Sequence, residues 1–225
     1  MTRLLKLLEP FCLLAVPGVL LLCVWTGTAH TALLTFVTVV FSLVPFFWRF
    51  ERQRPSPQTI LPVVVLAAVA AAGRVLFAML PNVKPMAAVV IVAGLCLGRQ
   101  SGFLTGSLAA LASNFFFGQG PWTPWQMYAL GLIGYLAGVL RAVLQNNRPA
   151  ACLFGFFSVL LYGLILDSWY VVGFIQPLTW PAALAAYAAG IPFTLFHAVS
   201  TVLFLLLIQK SWTRKIRRIQ QKFGL

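Results

Sequence analysis

The sequence has few charged residues and almost no acidic ones. Only 8% of its 225 residues are charged and 61% are hydrophobic, and three acids stand against 16 lysines and arginines. A soluble domain carries about 25% charged residues because water must solvate its surface. The shortage excludes a soluble enzyme, an extracellular disulfide scaffold and a disordered chain. It predicts a polytopic membrane protein whose main solvent is lipid.

Familiar catalytic motifs are also missing. The sequence contains no HExxH, no GxSxG and no Walker A loop, and three acids leave little for a paired-carboxylate mechanism. The four cysteines are scattered through apolar runs without a CxxC pair, so we interpret them as core residues rather than as metal ligands or disulfides. We therefore predict that the chain is not an enzyme and has no metal or cofactor of its own. Any energy input must come from a partner or an ion gradient.

Eight apolar runs predict an all-α transmembrane bundle, since a helix needs about 17–25 residues to cross a bilayer. The short runs 84–98 and 102–117 are joined by a tight turn and predict a compact or partly re-entrant hairpin. A charged, Pro-containing linker at 49–58 divides the chain into a two-helix N-terminal hairpin with its linker (1–58), a six-helix core (59–209) and a basic tail (210–225). The eight runs are 11–28, 31–48, 59–80, 84–98, 102–117, 125–144, 150–173 and 182–209.

The basic residues predict the orientation, because Lys and Arg accumulate in cytoplasmic loops. If both termini are cytoplasmic and every run crosses, only Lys84 falls in an outer turn and only Arg74 within a span. The +13 net charge then reports topology rather than nucleic-acid binding. The other fourteen basic residues all fall inside: Arg3, Lys6, Arg49, Arg52, Arg54, Arg99, Arg141, Arg148, Lys210, Arg214, Lys215, Arg217, Arg218 and Lys222.

Three of the outer connections, 80–85, 118–126 and 173–181, are rich in Trp, Gln, Asn and Pro. Tryptophans at a membrane interface commonly form an aromatic belt, and Pro and Gly commonly end spans. These outer connections nevertheless carry amides and indoles, whereas the inner loops carry nearly all of the charge. This asymmetry favours a binding surface on the outer side.

Two ionisable residues lie within the outer halves of spans, where a charge is costly and often functional. Arg74 and Asp167 are at nearly equal depth, so they either form a structural ion pair or face an outward-opening cavity. Asn114, Trp169 and Tyr170 belong to the same layer. His197, near the middle of the last span, is interpreted as a hydrogen-bonded packing residue rather than a ligand or proton relay.

Small residues spaced four apart in the third run allow close helix packing. The pairs Ala67/Ala71 and Ala68/Ala72 each lie along one helical face. Packing within the chain accounts for such a pattern without a partner.

Four segments carry a family resemblance: AAVAAAGR at 67–74, LPNVKP at 80–85, GFLTGSLAALASNFFFGQGPWTPWQM at 102–127 and GLIGYLAGVL at 131–140. They resemble the substrate-binding subunits of energy-coupling factor (ECF) vitamin transporters. Within that family, the chain looks most like the subunits for cobalamin or its precursors.

The resemblance implies a six-helix core in a bacterial cell membrane that captures a vitamin at its outer face. It also implies a transmembrane coupling subunit, contacted through Ala67, Ala68, Ala71 and Ala72, and two cytoplasmic subunits that use ATP. Residues 1–58 depart from the family's six spans and either obstruct or extend the coupling surface. The ligand pocket implied by the resemblance comprises Asn82, Lys84, Asn114, Gln119, Trp122, Trp125 and Gln126, with Arg74 or Asp167 recognising charge.

Two other functions stay open from the sequence. An autonomous ion-coupled carrier would use Arg74, Asp167 and His197 as a relay. A membrane scaffold would dock anionic lipid or a cytoplasmic partner through the tail Lys210–Lys222.

Overall fold

The computed structural model describes residues 2–26, 31–52 and 55–223, and these ranges contain helices, turns and loops but no strand. The side chains of residues 2–8 and 223 also lie outside the description. The helices run α1 Thr2–Thr26, α2 Thr31–Arg52, α3 Pro57–Leu76, α4 Met86–Leu97, α5 Arg99–Phe117, α6 Trp122–Val139, α7 Arg141–Leu144, α8 Arg148–Phe174 and α9 Trp180–Phe223.

The prediction of an all-helical chain is confirmed for these residues. Five described segments are long and apolar enough to cross a bilayer, namely Glu9–Thr26, Thr31–Arg52, Pro57–Leu76, Arg148–Phe174 and Trp180–Lys222. Helix α4 is too short, and α5 and α6 are less apolar. Eight crossings and cytoplasmic termini remain predictions, and for Arg3, Lys6 and Arg54 they concern side chains outside the description.

Helix α4 is the axial helix of the bundle. It packs against α3, α5, α6, α8 and α9, and every residue from Met86 to Cys96 is buried. Its sequence, MAAVVIVAGLCL, is apolar on all sides, as expected for a helix surrounded by others. Twelve residues span only about 18 Å, so α4 ends well inside the length of its neighbours.

Helix α9 closes the gap beyond the C-terminal end of α4. The predicted boundary at residue 209 falls within this continuous 44-residue helix. Trp212 and Ile216 pack against the core, and Gln220 Nε2 donates to the Cys96 carbonyl at 3.3 Å. That carbonyl belongs to the last turn of α4, where carbonyl groups have no N–H donor within the helix itself. The proposed tail is therefore part of the folded bundle.

Helices α5 and α6 approach so closely that their backbones touch at Gly102 and Gly134. A Cβ atom on either glycine would collide with the carbonyl oxygen of the other. Only glycine permits this contact. It holds the two helices side by side up to the loop that joins the C-terminal end of α5 to the start of α6.

The N-terminal hairpin packs onto the core rather than standing apart. Helix α2 contacts α5, α6 and α8, and α1 contacts α8. The rings of Phe46 and Phe103 stack with centroids 3.7 Å apart, and the Tyr128 hydroxyl donates to the Leu13 carbonyl at 2.6 Å. The hairpin thus shares the core of residues 59–209.

A buried carboxylate joins the hairpin to the core at the end of the bundle that we call the basic end. Glu9 is fully buried and forms an ion pair with Arg49, which is itself buried. Arg99 Nε lies 3.5 Å from the other Glu9 oxygen. Helices α1, α2 and α5 therefore converge on one acid.

Glu9→Gln should destabilise the protein by about 3 kcal/mol, because it leaves the buried Arg49 guanidinium without a counter-charge. The free energy of unfolding in detergent measures the effect. Glu51→Gln, the same change at an exposed acid of α2, should shift it by less than about 0.5 kcal/mol. If the two variants are equally stable, the ion pair does not hold the hairpin in place.

Candidate functional site

Arg74 lies at the opposite end of the bundle and is held by neutral groups. Its Nη1 donates to Ser113 Oγ at 2.7 Å and to Asn114 Oδ1 at 2.8 Å. The guanidinium also lies 4.5 Å from the centroid of the Phe117 ring. The described ion pairs are those of Glu9, so no described carboxylate compensates Arg74.

Asn114 connects Arg74 to helix α6. It is fully buried, and its Nδ2 donates to Thr123 Oγ1 at 3.0 Å and to Gln126 Oε1 at 2.9 Å. Thr123 in turn donates to Gln119 Oε1 at 2.9 Å. The structure thus brings together Arg74, Asn114, Gln119 and Gln126 as predicted. With Ser113 and Thr123, they form what we call the Arg74 cluster.

Lys84 lies in the loop between α3 and α4, close to Arg74. Its backbone N–H donates to Ser200 Oγ at 3.0 Å, and its ammonium contacts Asn82 Oδ1 at 3.5 Å. Asn82 itself has φ of 59°, a left-handed conformation that Asn tolerates better than most residues. Burial of the ammonium, with the Arg74 charge as a second cause, lowers the pKa of Lys84 to about 8.

His197 completes this polar region from α9. It is buried, its Nε2 has no hydrogen-bond partner, and its ring meets that of Tyr162 edge-on at 5.7 Å. The positive charges of Lys84 and Arg74 both act on it. The expectation of a hydrogen-bonded packing residue is therefore wrong for Nε2, since this buried atom is unsatisfied.

The predicted aromatic residues divide into packing and exposed groups. Trp125 is fully buried and stacks on Trp169 with centroids 6.0 Å apart, so it is part of the core. Trp122 is 39% exposed. Tyr170 is exposed and stacks on Phe174 at 6.1 Å. Trp122 and Trp125 both lie in the first turn of α6, and of the two only Trp122 has an exposed surface that a ligand could contact.

Asp167 does not join the Arg74 cluster. Its carboxylate contacts Gly190 and lines a largely apolar groove of about 660 Å³ between α8 and α9, together with residues such as Leu164 and Tyr187. The structure contains no Arg74–Asp167 ion pair. Of the two alternatives that the sequence left open for Arg74 and Asp167, the ion pair is therefore not formed, and each residue has its own surroundings.

The small residues of α3 lie on two different faces. Ala67 and Ala71 are buried against the core, whereas Ala68 and Ala72 are exposed. The packing interpretation therefore applies to the first pair. The second pair is open to lipid or to a partner.

Three polar contributors were missed by the sequence analysis, namely Ser113, Thr123 and Ser200. Ser113 and Thr123 lie close in sequence to predicted residues; Ser113 accepts a hydrogen bond from Arg74, and Thr123 accepts one from Asn114. Ser200 lies one turn after His197 on α9. That spacing is the signal that would have placed both residues on the same helical face.

The structure is a helical bundle with helices long and apolar enough to cross a bilayer and with a polar, cation-containing cluster at one end. Residues 53–219 match the family model described as "Family of unknown function (DUF6580)". The chain belongs to this family, and the N-terminal hairpin lies outside the match. No curated protein and no solved structure matches the chain.

Asn114→Leu should destabilise the protein by about 3 kcal/mol, because the buried Thr123 and the half-buried Arg74 and Gln126 each lose a hydrogen-bond partner. Unfolding in detergent measures the change. Asn146→Leu makes the same replacement at an exposed residue and should change stability by less than about 0.5 kcal/mol. Equal effects would show that the cluster does not stabilise the fold.

The stability of the protein should rise with pH between the folded pKa of Lys84, about 8, and its ordinary value of 10.5. In that interval the unfolded state binds the proton that the folded state has released, so higher pH favours folding. Thermal unfolding from pH 7.5 to 10.5 measures the rise. Lys84→Met should reduce it, whereas Lys215→Met, at an exposed lysine, should not. Identical profiles for the two variants would contradict a buried ammonium.

Proposed function

We propose that this chain is the substrate-binding membrane subunit of an ECF-type importer. It captures a vitamin-like molecule that carries an anionic group, with cobalamin or a related precursor as the favoured ligand. The chain performs no catalysis. A coupling subunit and two ATPases drive uptake.

The observation that carries this proposal is the pair of cations without counter-charges at one end of the bundle. No described carboxylate forms an ion pair with Arg74 or Lys84, although both are largely removed from solvent. An uncompensated charge in such surroundings is costly and points to function. An anionic ligand would supply the missing charge.

The surroundings of the two cations suit the capture of a polar anion. Helix α4 begins at Met86, two residues after Lys84, and the N-terminal end of its dipole adds positive potential. The amides of Asn114 and Gln126 can exchange their mutual hydrogen bond for bonds to the ligand. The exposed Trp122 offers an indole face to a planar group.

The cobalamin class has the chemistry that this site would recognise. Its corrin ring is broad and apolar with amides around its rim, and its nucleotide loop carries a phosphodiester anion. Cobinamide has the corrin ring but lacks that loop, so the pair of probes separates recognition of charge from recognition of the ring.

Binding of cobalamin and cobinamide to the purified protein in nanodiscs tests the proposal. We expect Asn114→Asp to weaken cobalamin binding at least about tenfold, because its carboxylate neutralises Arg74 in place of the ligand. Arg74→Gln should act in the same direction. Cobinamide, without the phosphodiester, should lose less than about threefold. Arg141→Gln, which removes an exposed charge from the basic end, should bind both probes as wild type does.

Mass spectrometry of gently purified complexes is a second test of the proposal, because it identifies the subunits that copurify with the chain. We expect a coupling subunit and ATPases to copurify with the chain. If neither corrinoid binds and no such subunits copurify, the proposal fails. Uptake into liposomes by this chain alone, driven by a pH gradient, would instead establish an ion-coupled carrier.

A further inference from the structure

A second polar region lies at the basic end, where the start of α8 meets α9. It is a groove of about 610 Å³, and none of the described residues that line it is acidic. Several cationic side chains lie close together in the groove, so its electrostatic potential is strongly positive. Its basic lining residues are Arg148, Lys210, Arg214, Arg217 and Arg218.

The groove lies where the lipid-facing surface of α9 changes character. Leu203 and Leu206 are exposed apolar residues, and Lys210 and Arg217 continue the same helical face at intervals of four and seven residues. Apolar side chains therefore give way to basic ones along one stripe. A lipid whose chains cover the leucines would place its headgroup at the groove.

A buried and unsatisfied acceptor also lines the groove. Gln209 is 3% exposed, and its Nε2 donates to the Leu144 carbonyl at 3.2 Å, which fixes the orientation of the amide. Its Oε1 has no hydrogen-bond partner. Buried acceptors are normally paired, so this oxygen calls for a ligand that carries a hydroxyl or N–H donor.

We propose that this groove binds the headgroup of an anionic phospholipid that combines a phosphate with a hydroxyl, the chemistry of phosphatidylglycerol. The arginines contact the phosphate, since guanidinium groups match its geometry. The headgroup hydroxyl donates to Gln209 Oε1. The site is independent of the substrate site, which lies at the other end of the bundle.

Native mass spectrometry and lipid exchange in nanodiscs of phosphatidylcholine doped with phosphatidylglycerol test this site. We expect the wild-type protein to retain phosphatidylglycerol selectively. The double variant Arg214→Gln/Arg217→Gln should weaken that retention at least about tenfold, since two charge-assisted contacts are lost. Arg141→Gln/Lys215→Gln removes the same net charge outside the groove and should stay within about twofold of wild type.

Two further measurements identify the source of the phosphate and the role of the hydroxyl. Phosphatidylethanol has the anionic phosphate without a hydroxyl, so Gln209→Leu should reduce the preference for phosphatidylglycerol over this probe. Pyrophosphate in detergent tests a soluble anion, which we expect to bind more weakly than the lipid.

Equal retention of phosphatidylglycerol by the two double variants would overturn the proposal. A groove that binds pyrophosphate tightly but shows no lipid preference would overturn it as well, because the ligand would then be soluble. Loss of a copurifying protein from the Arg214/Arg217 variant without any loss of lipid would show a protein interface instead.

Discussion

The scarcity of acids governs how this bundle places its charges. A cation buried in lipid is costly unless a counter-charge lies near it. The chain has only three acids. Glu9 serves Arg49 and Arg99 at the basic end and joins the hairpin to the core. Asp167 lies in a separate groove, and Glu51 is exposed. Arg74 and Lys84 therefore have only neutral partners among the described residues. The electrostatic potential around them is positive because the three acids lie elsewhere in the bundle.

The short axial helix shapes both ends of the molecule. Because α4 has only twelve residues, each of its ends opens into space that other segments must fill. At the basic end α9 continues past residue 209 and donates to the Cys96 carbonyl. At the other end the loop that carries Lys84 is tied to Ser200 of α9. The polar residues of the candidate substrate site thus lie where the axial helix stops, and packing of the apolar core positions them.

Hydropathy and charge were enough to predict the helices and to predict that Arg74, Asn114 and Gln126 lie at one end of the bundle. Successive helices run in opposite directions, so every second connection lies at the same end. They did not predict side-chain direction around each helix. Asp167 shares the depth of Arg74 but points into another groove, and Trp125 points into the core while Trp122 does not. The extension of α9 was also missed, because the basic residues indicated an exposed tail, although Trp212 and Ile216 on the same helix pack against the core.

The position of the hairpin decides between obstruction and extension of the surface that a coupling subunit would use. Helices α1 and α2 pack on α5, α6 and α8, whereas one face of α3 remains exposed. That face is a single exposed stripe of Leu61, Val65, Ala68 and Ala72, which lie three or four residues apart and are therefore neighbours on the helix surface. A partner helix can approach closely at the two alanines without displacing Phe46 or Tyr128 from their contacts. The hairpin therefore leaves this face of α3 exposed, as docking of the proposed coupling subunit on the core would require.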